Sequence, residues 1–269
     1  DPDHWSVRVH GMVDDEVVLS YQDLQGMPLI ERYATLSCVS NEVGGRLVGN
    51  ALWTGVLLRD VLDMAGVHPE ADQLVGRSVD GWTAGFPTEL AFDDREAMIA
   101  IGMNREVLPA AHGFPARLVV PGLYGYVSAT KWLTEIELTT LDAFDGYWIP
   151  RGWSKDGPIK TQSRIDRPKR RETVPVGPYT FGGVAWAPTV GITDVEIRID
   201  RGPWMRADLA EPLSTASWVL WKADTTLEAG PHEVTVRATD TTGAVQTERF
   251  QPPAPDGATG WHTVQFSAA

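Results

Sequence analysis

Two stretches in the last third of the chain, DVEIRID at 194–200 and HEVTVRATD at 232–240, alternate apolar and polar residues with a period of two. Only an extended strand with one face buried and one face wet has that period. Val195, Ile197 and Ile199 are therefore expected to share a core with Val234, Val236 and Ala238. WVLWKA at 218–223 lies between these runs, and turns such as RGPW, EAGP and TTGA separate the segments. Several short strands at this spacing predict an all-β sandwich.

The first half carries mixed signals. WSVRVHG at 5–11 alternates as a half-buried strand, and SYQDLQGMP offers Ser20 as a helix N-cap with Asp23 three residues on. ERYATLSCVS reads as a strand that ends at Cys38. WTGVLLRDVLDMAGV predicts a helix from a Thr54 cap, with Leu58, Val61, Leu62 and Ala65 on one face and a stop at Gly66. REAMIAIGMNREVLP predicts a hairpin turning near Asn104, and ARLVVPG and WLTEIELT supply further strands. Between residues 145 and 175 the texture becomes rich in Gly, Pro and Trp and holds eight of the 23 basic residues. The expected fold class is α+β: a mixed α/β domain over residues 1–171, then an Ig-like sandwich over 172–269.

Composition excludes several functions. A formal charge of -13 repels phosphate backbones, so nucleic acid is not an expected partner. A mean hydropathy of -0.17, with no long apolar run, predicts a soluble segment. A single cysteine rules out an internal disulfide and a thiolate-rich zinc or iron–sulfur site.

That cysteine, Cys38, stands in LSCVSNEVGG at 36–45, where a strand gives way to a polar, glycine-bearing turn. A lone cysteine is most often a small core hydrophobe. Its place at a strand end, beside Ser37, Ser40 and Asn41, also suits a nucleophile or a soft metal ligand. A nucleophile needs a base, for which His112 is a candidate. HGFPARLVVPGLYGYVSATKW at 112–132 gathers His112, Arg117 and Lys131 around glycines and hydroxyls. It is either a strand with ordinary surface charges or an anion cradle in which Arg117 makes a bidentate contact and Lys131 adds charge. In the basic stretch, Arg167 to Arg171 read as a solvated linker, whereas Lys160 and Arg164 in IKTQSRID are placed to face a site. His4, His10, His68, His232 and His262 show no metal-ligand spacing.

Taken in order, LSCVSNEVGG, ALWTGVLLRDVL, HGFPARLVVPGLYGYVSATKW and GYWIPRGW with IKTQSRID resemble the sulfite oxidase family of molybdopterin-dependent oxidoreductases. GGVAWAPTVGITDVEIRIDRGPW is similar to the start of that family's C-terminal dimerisation domain. The resemblance implies a catalytic first domain in which Cys38 is the thiolate ligand of molybdenum. It places Asn41, His112, Arg117, Ser128, Thr130 and Lys131 around the molybdopterin and its phosphate. It implies two-electron oxygen-atom transfer to or from a small-molecule substrate, a separate electron-transfer partner and a homodimer.

The pattern also departs from the family. Glu42 and Val43 stand where sulfite oxidases carry arginines, and Trp82 of WTAGFP stands at the position of an active-site tyrosine, which argues against sulfite as substrate. The chain begins at Asp1 without a leader, and by resemblance a membrane-spanning segment and part of the pocket are expected upstream, with an extracytoplasmic or membrane-associated location. Two other readings compete: a cofactor-free binding or structural module on the same fold, and a thiol hydrolase using Cys38 and His112.

Overall fold

Val7 and Val9, the apolar positions of WSVRVHG, lie fully buried on the strand Ser6–Gly11 in a computed structural model that describes residues 1–269. This strand pairs parallel with Leu133–Thr139 and antiparallel with Val17–Ser20. Gln73–Ser78 and Thr83–Pro87 complete a five-stranded sheet beyond Leu133–Thr139. A second sheet runs Leu29–Ser37, Val48–Leu57, Met98–Met103, Glu106–Val107, and Arg117–Val119 also pairs with Met98–Met103. These strands centre on one compact unit, Asp1–Cys38 with Ala51–Pro158.

Local signals in this unit translate directly. Ser20 caps Tyr21–Gly26 through a capping box in which its hydroxyl accepts from Asp23 N while the Asp23 carboxylate accepts from Ser20 N. The hairpin turns at Asn104 and Arg105, both at positive φ (55° and 65°), as a two-residue β-turn of that hand requires.

Two expectations need correction. The helix expected from Thr54 begins at Leu58, because residues up to Leu57 pair with Met98–Met103 as a strand. Gly55 comes so close to that neighbour that a Cβ would sit 2.2 Å from the Ile99 carbonyl oxygen. Leu58 N then donates to Ala97 O, and the helix buries Leu58, Val61, Leu62 and Ala65 before Gly66 ends it in the left-handed region. The unit also holds less helix than a mixed α/β domain implies. Its three α-helices, Tyr21–Gly26, Leu58–Ala65 and Gly125–Ser128, are no longer than eight residues, and the molecule is mostly β-sheet.

The second compact unit comprises Val39–Asn50 and Ile159–Ala269. The division by packing therefore falls at Pro158, not near Glu172. Gln162–Arg167, placed before the boundary by its basic texture, is a strand of this unit paired with Gly177–Trp186. One sheet orders Gln162–Arg167, Gly177–Trp186, Val219–Leu227, Asp208–Leu209; the other orders Thr173–Val174, His262–Ala268, Gly230–Asp240, Ile192–Ile199, Trp204–Arg206. Their apolar faces share one core, with Phe181, Val195, Ile197, Val234, Val236 and Ala238 wholly buried and Trp221 and Phe266 nearly so. Each large apolar side chain so buried contributes roughly 1.5–3 kcal/mol of transfer free energy. The basic residues of IKTQSRID serve this unit's own packing. Lys160 Nζ donates to Asp256 Oδ1 and Gly257 O, both at 2.9 Å, and Arg164 pairs with Asp166 at 2.8 Å.

His262 is the unit's most perturbed titratable group. Its Nδ1 accepts from Ile165 N at 3.0 Å, and burial, reinforced by the charge of Arg164, pushes its pKa down to about 4. The folded protein thus holds the imidazole neutral, whereas the unfolded chain takes up a proton near pH 6.5. This contribution to stability is complete above about pH 6.5 and is lost as pH falls towards 4, up to on the order of 3 kcal/mol. Denaturation midpoints at pH 7.5 and 4.5 check this: a His262→Asn variant is expected to show a smaller acid loss than the parent. No helix is long and apolar enough to cross a membrane.

Candidate functional site

In the first unit, two chain reversals bring the residues of HGFPARLVVPGLYGYVSATKW together. Gly113 ends the turn Ala110–His112 in the left-handed region (φ +114°), which lets its carbonyl accept from Trp132 N at 3.2 Å. Leu118 N donates to Thr130 O and Leu133 N to Ala116 O, so residues 116–118 and 130–133 run side by side. A Cβ on Gly113 would lie 2.9 Å from Lys131 Cβ and 3.1 Å from Arg117 Cβ. Gly113→Ala is therefore expected to cost about 2–4 kcal/mol, from backbone strain plus overpacking, measurable as a lowered urea midpoint with an unchanged slope.

Arg117 is the electrostatic centre of this cluster. It is buried (6% exposed), and its guanidinium donates only to backbone carbonyls: Leu118 O at 3.3 Å, His112 O at 3.1 Å and Ala129 O at 3.4 Å. Its Cζ stands 5.1 Å over the ring of the buried Trp53, and no carboxylate lies within ion-pair distance. Burial alone lowers its pKa to about 10, an arginine held charged at neutral pH at a cost of about 3 kcal/mol. Lys131 is also depressed, first by desolvation and then by the charge of Arg117, with Asp80 pulling the other way. Lys131 Nζ reaches Ala111 O at 3.0 Å and lies 4.2 Å over the Trp132 ring. Two cations near each other, without a protein anion on the buried one, make a site that an anionic group would stabilise.

The other expected site residues divide into two groups. The His112 side chain is exposed, and its backbone carbonyl holds Arg117. Ser128 and Thr130 are fully buried and spend their hydroxyls internally, on Tyr124 O at 3.1 Å and Gly76 O at 3.4 Å. They therefore shape the cluster instead of presenting free donors. Cys38 follows directly on the strand Leu29–Ser37 and is a free, exposed thiol, so the reading of it as a core hydrophobe is excluded. No group of three or more His, Cys, Asp or Glu residues is arranged to hold a metal ion.

Asn41 belongs to the second unit by packing. Its Oδ1 accepts from Leu47 N at 2.8 Å, while its Nδ2 is buried without a partner. A buried amide donor of this kind is costly unless something accepts from it. Sequence reasoning missed Trp53, which lies inside the quoted ALWTGVLLRDVL; nothing in its local pattern separates a tryptophan that stacks on an arginine from one that only fills a core. It also missed Gly113, which follows His112 in HGFPARL and whose closeness to Arg117 and Lys131 only the fold creates.

These observations pass a test for molybdopterin. A buried guanidinium without a carboxylate partner, beside a lysine, suits the phosphate, and an exposed thiol is a soft donor for molybdenum. The comparisons agree. The family model "Oxidoreductase molybdopterin binding domain" matches residues 1–148. An uncharacterised oxidoreductase, YuiH of Bacillus subtilis, is 34% identical over 153 residues, 57% of this chain and 74% of that protein. Mitochondrial sulfite oxidase of Homo sapiens is 28% identical over 302 residues, 94% of this chain and 55% of that protein, so the chain spans about half the length of that relative. The fold is similar to that of the sulfane dehydrogenase SoxCD from Paracoccus pantotrophus, with a TM-score of 0.85 at 24% identity over 98% of this chain and 76% of that one. With its buried cation cluster, its exposed thiol and these matches, the chain belongs to the sulfite oxidase family of molybdopterin-binding oxidoreductases.

Proposed function

We propose that this protein is a molybdenum-dependent oxidoreductase in which Cys38 is the protein's thiolate ligand to the metal. The observation that carries the reading is Arg117, a buried cation with no carboxylate partner beside a second cation, Lys131. In this reading Arg117 and Lys131 hold the cofactor phosphate, and the His112 turn fixes the guanidinium. The bound cofactor supplies two-electron oxygen-atom transfer.

The chain's own residues orient the cofactor and set the local charge. Removing the Arg117 side chain from water in advance keeps its donors unsolvated and ready for an anion. Trp53 shields the guanidinium face and holds it by a cation–π contact. Glu42, exposed four residues after Cys38, puts negative charge on the segment that follows the thiol. That charge disfavours a dianionic substrate such as sulfite and favours a neutral or cationic small molecule. A separate electron carrier and a homodimer through the sandwich, which we take to be Ig-like, complete the proposal, together with an extracytoplasmic or membrane-associated location.

The test is molybdenum per chain, measured by elemental analysis on protein expressed in a host that makes molybdopterin. A value near one per chain is expected. No molybdenum in a folded protein overturns the reading in favour of a cofactor-free binding module.

A further inference from the structure

A helix of four residues cannot hold itself, because forming its first turn fixes several dihedral angles for a single hydrogen bond. Gly125–Ser128 is such a helix, and the carbonyl of Ala129, the residue that closes it, accepts from Arg117 Nη2. Where that carbonyl stands is therefore decided by what the helix is tied to. The ties come from the strap 153–158, which belongs to the same compact unit. Tyr124 N, at the head of the helix, donates to Gly157 O at 2.7 Å, and Leu123 bridges to Pro158. The Tyr126 hydroxyl donates to Ser154 O at 2.6 Å, with Asp156 O 3.3 Å away, and its ring packs on Trp153 with centroids 5.9 Å apart. On its other side the strap is moored by Lys155, whose Nζ donates to Phe144 O at 3.0 Å and to the Asp145 carboxylate at 2.8 Å.

The helix passes this anchorage on to the cation. Ala129 N donates to Gly125 O at 3.0 Å and Ser128 Oγ to Tyr124 O at 3.1 Å, so residues 124–129 are bonded into one body. Of the three carbonyls that hold Arg117, Ala129 O is the farthest, at 3.4 Å against 3.1 and 3.3 Å. That distance is near the limit of a hydrogen bond, and a retreat of about 0.3 Å breaks it. We propose that Tyr126, with the strap it binds, is a positioning residue for Arg117: it sets the helix so that Ala129 O steers the guanidinium. The proposal rests on the reading of Arg117 as the cation that holds the anion. Tyr126 acts through the helix, three residues before the carbonyl that touches Arg117.

Gly157 tests the same linkage from the strap side. A Cβ there would fall 2.8 Å from Val127 Cγ2 and 3.2 Å from Tyr126 Cε1. Carbon atoms settle about 3.5 Å or more apart, and a β-branched valine in a helix has little rotamer freedom with which to yield. Gly157→Ala must therefore part strap and helix by about 0.5 Å, more than the bond from Arg117 to Ala129 O tolerates.

The experiment compares Tyr126→Phe, Tyr126→Leu and Gly157→Ala with the parent in the full cofactor-free chain. One readout is the dissociation constant for inorganic phosphate at constant ionic strength. The other is the solvent exchange of the Arg117 Nε–H, followed by NMR in protein with isotope-labelled arginine and assigned by its loss in Arg117→Met. Tyr126→Leu and Gly157→Ala are expected to weaken phosphate binding about fivefold, the equivalent of one lost hydrogen bond, and to speed the exchange by at least as much. Tyr126→Phe, which keeps the ring on Trp153, is expected to move both readouts in the same direction by about twofold. Lower melting temperatures with both readouts at parental values are what a purely structural tyrosine would give, and that result overturns the inference. Phosphate that stabilises the parent and Arg117→Met equally refutes the anion reading by itself. In that case faster Arg117 exchange in the variants still supports the strap, and parental exchange overturns it as well.

Discussion

Cys38→Ser is expected to lower the activity of cofactor-loaded protein by at least about a hundredfold, well beyond the effect of altering an outer partner of a metal ligand. The substitution changes one atom at an exposed position, so little packing is lost and stability should stay within about 0.5 kcal/mol. The chemical change is large. A thiol gives up its proton to a bound metal and then donates soft, polarisable electron density, whereas a serine hydroxyl is a harder donor that ionises far less readily. The checks are a steady-state assay, a thermal melt and the absorption bands that arise from sulfur–molybdenum bonding, which should change in position or vanish. A Ser variant with parental activity and unaltered bands would sink the assignment of Cys38. Fast alkylation of Cys38 that abolishes a metal-independent hydrolysis would instead favour the hydrolase reading.

Arg117→Met is expected to lower cofactor occupancy at least tenfold while leaving the melting temperature of the cofactor-free protein within a few degrees. The opposing terms nearly cancel in the cofactor-free state. Charging Arg117 in its buried place costs about 3 kcal/mol, from the fall of its pKa to about 10. Against this stand its three bonds to backbone carbonyls, worth about 1 kcal/mol each. Methionine fills most of the same space without a charge to bury. An anion changes the balance, because it pairs with a guanidinium already stripped of water and brings the neighbouring lysine into the same interaction. Inorganic phosphate should therefore stabilise the parent more than Arg117→Met at equal ionic strength, as read by thermal shift. Equal stabilisation of both proteins would show that the cation pair is not an anion site.

Much of the local structure was legible from the amino-acid order. Val7 and Val9, or Val234, Val236 and Ala238, declare their strands because period-two burial leaves no other backbone form that hides one set and wets the other. Ser20 with Asp23 declares a helix start because its capping bonds close within four residues. The Thr54 cap failed for the opposite reason. VLLRDVL reads as helix from its own spacing, but Thr54 to Leu57 are claimed by strand pairing with Met98–Met103, a partner more than forty residues away. Likewise, Gln162–Arg167, which the basic texture put before the domain boundary, is a strand of the sandwich.

The candidate site follows the same division. That Cys38, His112, Arg117 and Lys131 deserved notice came from residue type and order, and the ordered motifs were enough for the family. That Arg117 is buried without a carboxylate, stacks on Trp53 and depresses Lys131 could not be read from the chain, since these are sums over neighbours distant in sequence. Nor could the roles of Ser128 and Thr130, whose hydroxyls turn inward, or of His262, which shows no ligand spacing yet accepts from Ile165 N within the sandwich. The sequence by itself determined the strands, the caps and the inventory of reactive groups, because those depend on interactions within a few residues. Only the tertiary structure decided which groups are desolvated and which donors stay unpaired, because burial and electrostatic field are properties of the packed whole.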